Sequence, residues 1–264
     1  MDQVTPKLFL VARSTFDYEA FLQFLADEQV SWLQTSSAAD PENIVEAAGR
    51  VCYMSFGTRQ YRKDNREYIH NLIRQGHESV LEHVSWSFIL TGVSRGFSHQ
   101  LVRHRVGFAF SQLSQQYHDE KEARFVEPSI IARFPHLSEL WRRSVDDARH
   151  VYQELVAFLN TEEFRMLSQL DKREFQRAMR TAARSVLPSA TATKIFITAN
   201  ARAIRHFLTV RGGIPGDAEM RAVSALILST LSKEAPALFA DFTLETWSDG
   251  LPIVRQIDLT NEST

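Results

Sequence analysis

The stretch from Phe97 to Tyr117 reads FSHQLVRHRVGFAFSQLSQQY and concentrates side chains that bind anions. Its first half has a helical pattern. Gln100, Arg103 and His104 stand at i, i+3 and i+4, which puts an amide, a guanidinium and an imidazole on one helical face. Arg105 follows, then a break at Gly107 and the aromatic run Phe108 to Phe110. Two arginines flanking a histidine at a helix end present planar donors to phosphate or carboxylate oxygens. An isolated Arg-His-Arg is more simply a solvated basic helix end. Here it runs into an apolar, glycine-containing turn and then into clustered Ser and Gln closed by Tyr117, which a solvated end does not require.

The flanking segments supply the scaffold. Lys7 to Ala12 patterns as a short strand and Asp17 to Glu28 as a helix burying Phe21, Leu22, Phe24 and Leu25. Glu42 to Val51 is a second helix, ending in AAGRVCYMS, where Cys52 reads as a small buried residue. Lys63 to Gln75 is a charged helix stopped by Gly76, and GHESVLEH follows as a polar helix cap. Val84 to Thr91 alternates as a strand. Leu137 to Leu159 is a long amphipathic helix whose stripe of Trp141, Val145, Ala148, Tyr152, Leu155 and Leu159 is core. Lys172 to Arg184 is a helix with a basic outer face. Thr191 to Thr198 is a strand, and Asn200 opens a helix that sets Arg202, Arg205 and His206 against Ala203, Phe207 and Val210. That helix ends with Arg211 at Gly212-Gly213. The last helix runs from Asp217 to about Leu238, with Val223, Leu226, Ile227 and Leu231 inward. The tail from Trp247 reads as an extended arm suited to packing on a neighbour.

Composition narrows the functional classes. The 264 residues are 44% hydrophobic and 23% charged, an ordinary globular balance with ample material for a core. A net charge of −2 provides no global basic field for a nucleic-acid backbone, so anion binding must come from local clusters. The single cysteine, Cys52, excludes an intrachain disulfide framework and multi-cysteine metal sites. The histidines of GHESVLEH, His77 and His83, are six apart and fall on nearly opposite helical faces, so they are not a zinc pair and no metal site is expected. No GxGxxG follows a strand, so there is no dinucleotide fingerprint of that type. The opening residues lack a signal-peptide pattern and no segment has the apolar length of a membrane span, so a cytoplasmic protein is expected.

The Arg103-His104-Arg105 cluster with Ser114 beyond it resembles the signature of the flavin-dependent thymidylate synthases. GHESVLEH, ARSVLPSATATK and NARAIRHFLTVR resemble three further motifs of that family, in the same order. Together they span roughly Glu42 to Phe242. The resemblance implies one α+β domain covering residues 1–264, with helices packed around a twisted, mostly antiparallel sheet. It implies a homotetramer with FAD at subunit junctions, NADPH and methylenetetrahydrofolate as co-substrates, and methylation at C5 of a uridine monophosphate. It assigns His77, Ser79, Arg103, His104, Arg105, Gln112, Asn200, Arg202 and His206 to the flavin, and sets Arg50 and Cys52 near its nucleotide portion. Gln100, Arg103, Gln112, Ser114, Gln115, Gln116, Arg184 and Arg211 go to the nucleotide, with Ser114 and Arg211 acting at the reacting ring. Cationic donors suit both tasks, because negative charge grows on the uracil oxygens and on the flavin N1/O2 edge. Ser114 positions substrate, since no base stands near it in a legible Ser-His-Asp arrangement. A non-catalytic nucleotide- or RNA-binding module using the same arginines, with Phe108 and Phe110 as platforms, is the alternative from another class.

Three departures from the family lie in the nucleotide and flavin region. The spacer Val106 to Leu113 is one residue longer than the family's, Gln116 stands where the family usually has arginine, and Pro215 stands where it has histidine. A longer loop leaves room for a ribose 2′-OH and Gln116 offers it a neutral donor and acceptor. These departures point to an enzyme that methylates UMP as well as dUMP, in a specialised nucleoside pathway rather than only in DNA precursor supply.

Overall fold

A computed structural model describes residues 4–166 and 170–258. In chain order the elements are β1 (Lys7–Arg13), α1 (Tyr18–Asp27), α2 (Asp40–Tyr53), α3 (Asn65–Arg74), β2 (Ser85–Ser94), α4 (Arg95–Leu101), β3 (Phe108–Gln112), α5 (Ser129–Ala132), α6 (Pro135–Leu159), α7 (Glu162–Met166), α8 (Lys172–Ala183), β4 (Ala192–Asn200), α9 (Ala201–Arg211), α10 (Ala218–Glu234), β5 (Phe242–Thr246) and β6 (Pro252–Gln256). Short 3₁₀ turns lie at Gly57–Arg59, Glu78–His83, Arg184–Val186 and Pro236–Phe239. The fold is α+β, as expected. One sheet has the strand order β1-β2-β4-β3, and β5 and β6 pair as an antiparallel hairpin that matches Phe242 with Gln256. The Leu113 N–H donates to the Lys194 carbonyl and the Asn200 N–H to the Gly107 carbonyl, so β3 and β4 run antiparallel.

The chain gathers into two compact units, and the division cuts β2, β3 and β4 part-way along their length. Among the described residues, the first unit comprises 4–7, 90–103, 110–166 and 170–196. Its core is the expected α6 stripe. Tyr152 and Val156 pack with Met179 and Ala183 of α8, and Val145 packs with Ala123 and Phe125. The second unit comprises residues 8–89, 104–109 and 197–258. It buries Trp86 and Phe88 of β2, Ile204, Phe207 and Leu208 of α9, and Val223, Ile227 and Leu231 of α10.

Several local expectations are corrected. The helix carrying the Arg-His-Arg cluster stops at Leu101, so Arg103 and His104 lie beyond it and do not share a helical face with Gln100. The aromatic run Phe108 to Phe110 is not a turn but the start of β3. GHESVLEH does begin as the cap of α3, with Gly76 (φ +71°) and His77 donating back to the Ile73 and Leu72 carbonyls respectively, but from Glu78 to His83 it is a 3₁₀ turn. The last helix ends at Glu234 because Pro236 pushes Ala235 into an extended conformation (φ −152°, ψ 73°), and a 3₁₀ turn resumes after it. Leu22 is exposed on α1. Cys52 is exposed, not buried. On α9 Ala203 and Phe207 are buried as expected, but Arg205 is buried with them and Val210 is exposed. The Arg205 guanidinium makes two 2.6 Å bonds to the Asp241 carboxylate, which removes the cost of burying either charge alone. Arg50 is likewise buried, with its Nε–H 2.6 Å from Glu46 Oε1 and its terminal nitrogens on the Ser55 and Arg62 carbonyls. Of the expected arm from Trp247, residues 259–264 lie outside the described residues, and the part before them packs on its own chain. Trp247 lies in the turn of the β5–β6 hairpin, and β6 packs on α9 and α10.

Candidate active site

In the first unit the functional residues sit on α4, the end of β3, the turn after it, and α8. Ser94 caps α4 by accepting from the Phe97 N–H at 2.9 Å. Arg95, the first residue of α4, was not among the expected site residues. It is half-buried and donates from one terminal nitrogen to the Leu113 carbonyl at 2.8 Å. Its Nε–H is buried without a hydrogen-bond partner among the described residues. Burial pulls its proton affinity below the usual arginine value; the Arg184 charge adds to that effect and Glu120 opposes it. Burial also raises the Glu120 carboxyl, with His118 and Arg95 acting against the rise. Two neighbouring cations, one with an unpartnered Nε–H, give this half-buried setting donors suited to an anion.

The turn after β3 is built by Ser114. Its hydroxyl accepts from the Gln116 N–H at 3.3 Å, and its carbonyl accepts from the Tyr117 and His118 N–H groups. No base bonds that hydroxyl among the described residues, consistent with a positioning role. Gln112 is committed to the scaffold, donating to Ser98 Oγ at 2.9 Å and Thr193 Oγ1 at 3.3 Å. Gln115 is buried. Gln116 accepts from Arg177 Nε–H at 3.2 Å, so its carbonyl oxygen already has one partner. Gln100 and Arg103 are exposed.

In the second unit, α9 organises the remaining residues. Asn200 caps it, its Oδ1 accepting from the Ala203 N–H at 2.8 Å. Gly107 folds against this cap at φ +73°, and a Cβ there would lie 2.7 Å from Ala203 Cβ and within 3 Å of the Asn200 amide. Only glycine fits that approach. The contact holds the loop bearing His104 and Arg105 at the start of α9. From the other end of α9, Arg211 Nε–H donates to His104 Nε2 at 3.0 Å. That bond assigns the imidazole its neutral form with the proton on Nδ1. Burial holds the His104 pKa below the usual histidine value, and the Arg211 and His206 charges lower it further. His104 therefore contributes an acceptor and a ring face, set edge-on to Phe207 at 5.2 Å, rather than a cation.

Arg202 bonds Glu82 Oε1 at 2.6 Å and lies 3.4 Å from Glu78, so its charge is largely matched by the turn that carries Ser79. His77 is exposed and stacks on Tyr53 at 6.4 Å between ring centroids. Arg105 and His206 are exposed. The structure thus brings His104, Arg105, Asn200, His206 and Arg211 together around α9, and Ser114, Gln116 and Arg184 with Arg95 in the first unit. His77 and Ser79 stand on the turn tied to Arg202. Arg95 went unnoticed because its signal is faint: a lone arginine after a strand-ending serine. Among the described residues no group of His, Cys, Asp and Glu could hold a metal ion, and no helix is long and apolar enough to cross a membrane.

The family model described as "Thymidylate synthase complementing protein" matches residues 34–237. The chain is similar to the protein named flavin-dependent thymidylate synthase of Mycobacterium tuberculosis strain H37Rv, with 41% identity over 231 residues, 87% of this chain and 90% of that protein. It is 39% identical to the protein of the same name from Corynebacterium aurimucosum over 228 residues, 86% of this chain and 90% of the relative. The Corynebacterium efficiens protein of that name is 40% identical over 228 residues, 86% and 89% of the two chains.

Proposed function

Because this chain belongs to the flavin-dependent thymidylate synthase family, we propose that it methylates C5 of a uridine 5′-monophosphate, dUMP and also UMP. Methylenetetrahydrofolate supplies the carbon and NADPH supplies electrons through FAD. The observation that carries the nucleotide part is Arg95, half-buried beside the Arg184 charge and left with a free Nε–H. A phosphate dianion offsets the repulsion of this pair and takes up the free donor.

The donors of the second unit fit a flavin. Arg105 and the terminal nitrogens of Arg211 make no side-chain hydrogen bond or ion pair among the described residues that would compete for them. They suit the carbonyl-rich edge of an isoalloxazine or a uracil, where negative charge grows. When bound, the flavin supplies the two-electron redox chemistry of a reductive methylation. Neutral His104 orients Arg211 through the 3.0 Å bond, so that the remaining guanidinium donors meet a uracil oxygen. Ser114 shapes the turn that receives the nucleotide, and Arg202 braces the Glu78–His83 turn beside His77 and Ser79. The same reading includes a cytoplasmic homotetramer that completes the flavin site.

Two experiments test it. Freshly purified protein should carry the visible spectrum of oxidised flavin, and protein that stays colourless after incubation with FAD defeats the reading. Turnover of UMP and dUMP should then be compared with FAD, NADPH and methylenetetrahydrofolate present. A pocket that tolerates a hydroxyl discriminates only ~10²-fold, whereas UMP slower by more than ~10⁴-fold marks a strict dUMP enzyme.

A further inference from the structure

The basic face of α8 is not merely solvated. Lys172 and Arg173 are exposed, but Arg177, Arg180 and Arg184 are only partly so. They stand at i, i+3 and i+7, on one side of the helix and its C-cap. Arg177 Nε–H donates to Gln116 Oε1 at 3.2 Å, and its guanidinium lies 5.7 Å from the Tyr117 ring centroid. Arg180 donates to the Tyr117 carbonyl at 3.1 Å. Arg184, one turn further, is the cation whose charge acts on Arg95. The residues of the Ser114–Tyr117 turn are themselves neutral. Beyond Arg95, which reaches the Leu113 carbonyl just before the turn, the cations bonded to the turn come from α8. The competing partner of Arg177, Glu174 at 3.6 Å, is a partly exposed i,i+3 pair of the kind worth little.

We propose that Arg177 is a specificity residue of the nucleotide site, supplying from α8 the charge for the substrate phosphate that the Ser114–Tyr117 turn carries no cation to provide. The inference rests on the nucleotide reading above and deepens it. The 3.2 Å bond fixes one edge of the guanidinium on Gln116 and leaves its terminal nitrogens as donors to a phosphate oxygen. Gln116 is then a bracket for that arginine as well as a neutral neighbour of the sugar.

The test measures dUMP binding to the FAD-loaded protein by equilibrium dialysis, in the unaltered chain and in Arg177→Ala, Arg177→Gln and the double variant Arg177→Ala/Gln116→Arg. Losing one charged donor should weaken dUMP binding about 10- to 100-fold in both single variants. Restoring a cation on the turn itself should recover most of the loss, with the flavin spectrum retained throughout. Dissociation constants within twofold of the parent in both single variants overturn the assignment. So does a loss that Gln116→Arg fails to recover. Loss of FAD from both single variants overturns it too, because the charge then serves the cofactor or the fold. If the unaltered protein binds no dUMP, the nucleotide reading fails along with it; binding that ignores position 177 refutes this inference alone.

Discussion

Gly107 and Gly76 have nearly the same backbone, at φ +73° and +71°, but different surroundings. Nothing lies within 4 Å of a Cβ built on Gly76. A Cβ on Gly107 would stand 2.7 Å from Ala203 Cβ, 2.8 Å from Asn200 Nδ2 and 2.9 Å from Asn200 Oδ1. Alanine in a left-handed conformation costs about 1–2 kcal/mol at either position. At Gly107 the collision adds about 1–3 kcal/mol, since Ala203 sits on a packed helix and cannot swing aside. Moving the Asn200 amide also breaks its 2.8 Å cap bond to the Ala203 N–H, worth about 1 kcal/mol. Gly107→Ala should therefore be less stable than Gly76→Ala by about 2–4 kcal/mol. Urea unfolding of the two variants and the parent, compared at equal m-value, measures this difference. A gap below ~0.5 kcal/mol, the size of a neutral surface change, refutes the claim that the loop is seated on the α9 cap.

Stability should fall as the pH drops below the ordinary histidine pKa of about 6.5, because the unfolded chain takes up a proton there while His104, with its lowered folded pKa, does not. The fall levels off once the folded-state pKa is passed, and His104→Gln should flatten it in unfolding titrations, since glutamine can still accept from Arg211. Arg205→Ala strands the buried Asp241 carboxylate and should cost about 3–5 kcal/mol by chemical denaturation, more than Arg202→Ala on the exposed pair with Glu82. Exposed Cys52 should react with a maleimide in the folded protein, and Cys52→Ala should keep turnover within about tenfold of the parent. Loss of several orders of magnitude with fold and flavin intact would assign the thiol a role in the chemistry.

The long periodic segments were legible from the sequence. The α6 stripe, the Asp217 and Asn200 caps, and the stop of α9 at Gly212-Gly213 all depend on residues within a few positions of one another. The four motifs were likewise readable as a family pattern, because their residue types survive in order. Tertiary structure decided which charges are free. Periodicity put Arg202, Arg205 and His206 on α9 as one basic group, yet Asp241 takes Arg205 into the core and Glu78 and Glu82 take up Arg202. It could not foresee that α4 would stop before Arg103, or that neutral His104 would accept from Arg211 across a sequence separation of 107 residues. Nor could it place Arg177 on Gln116, 61 positions away. A local pattern sets which face a side chain occupies, but a charged group's role depends on the partner that reaches it, and that partner is chosen by how distant segments pack.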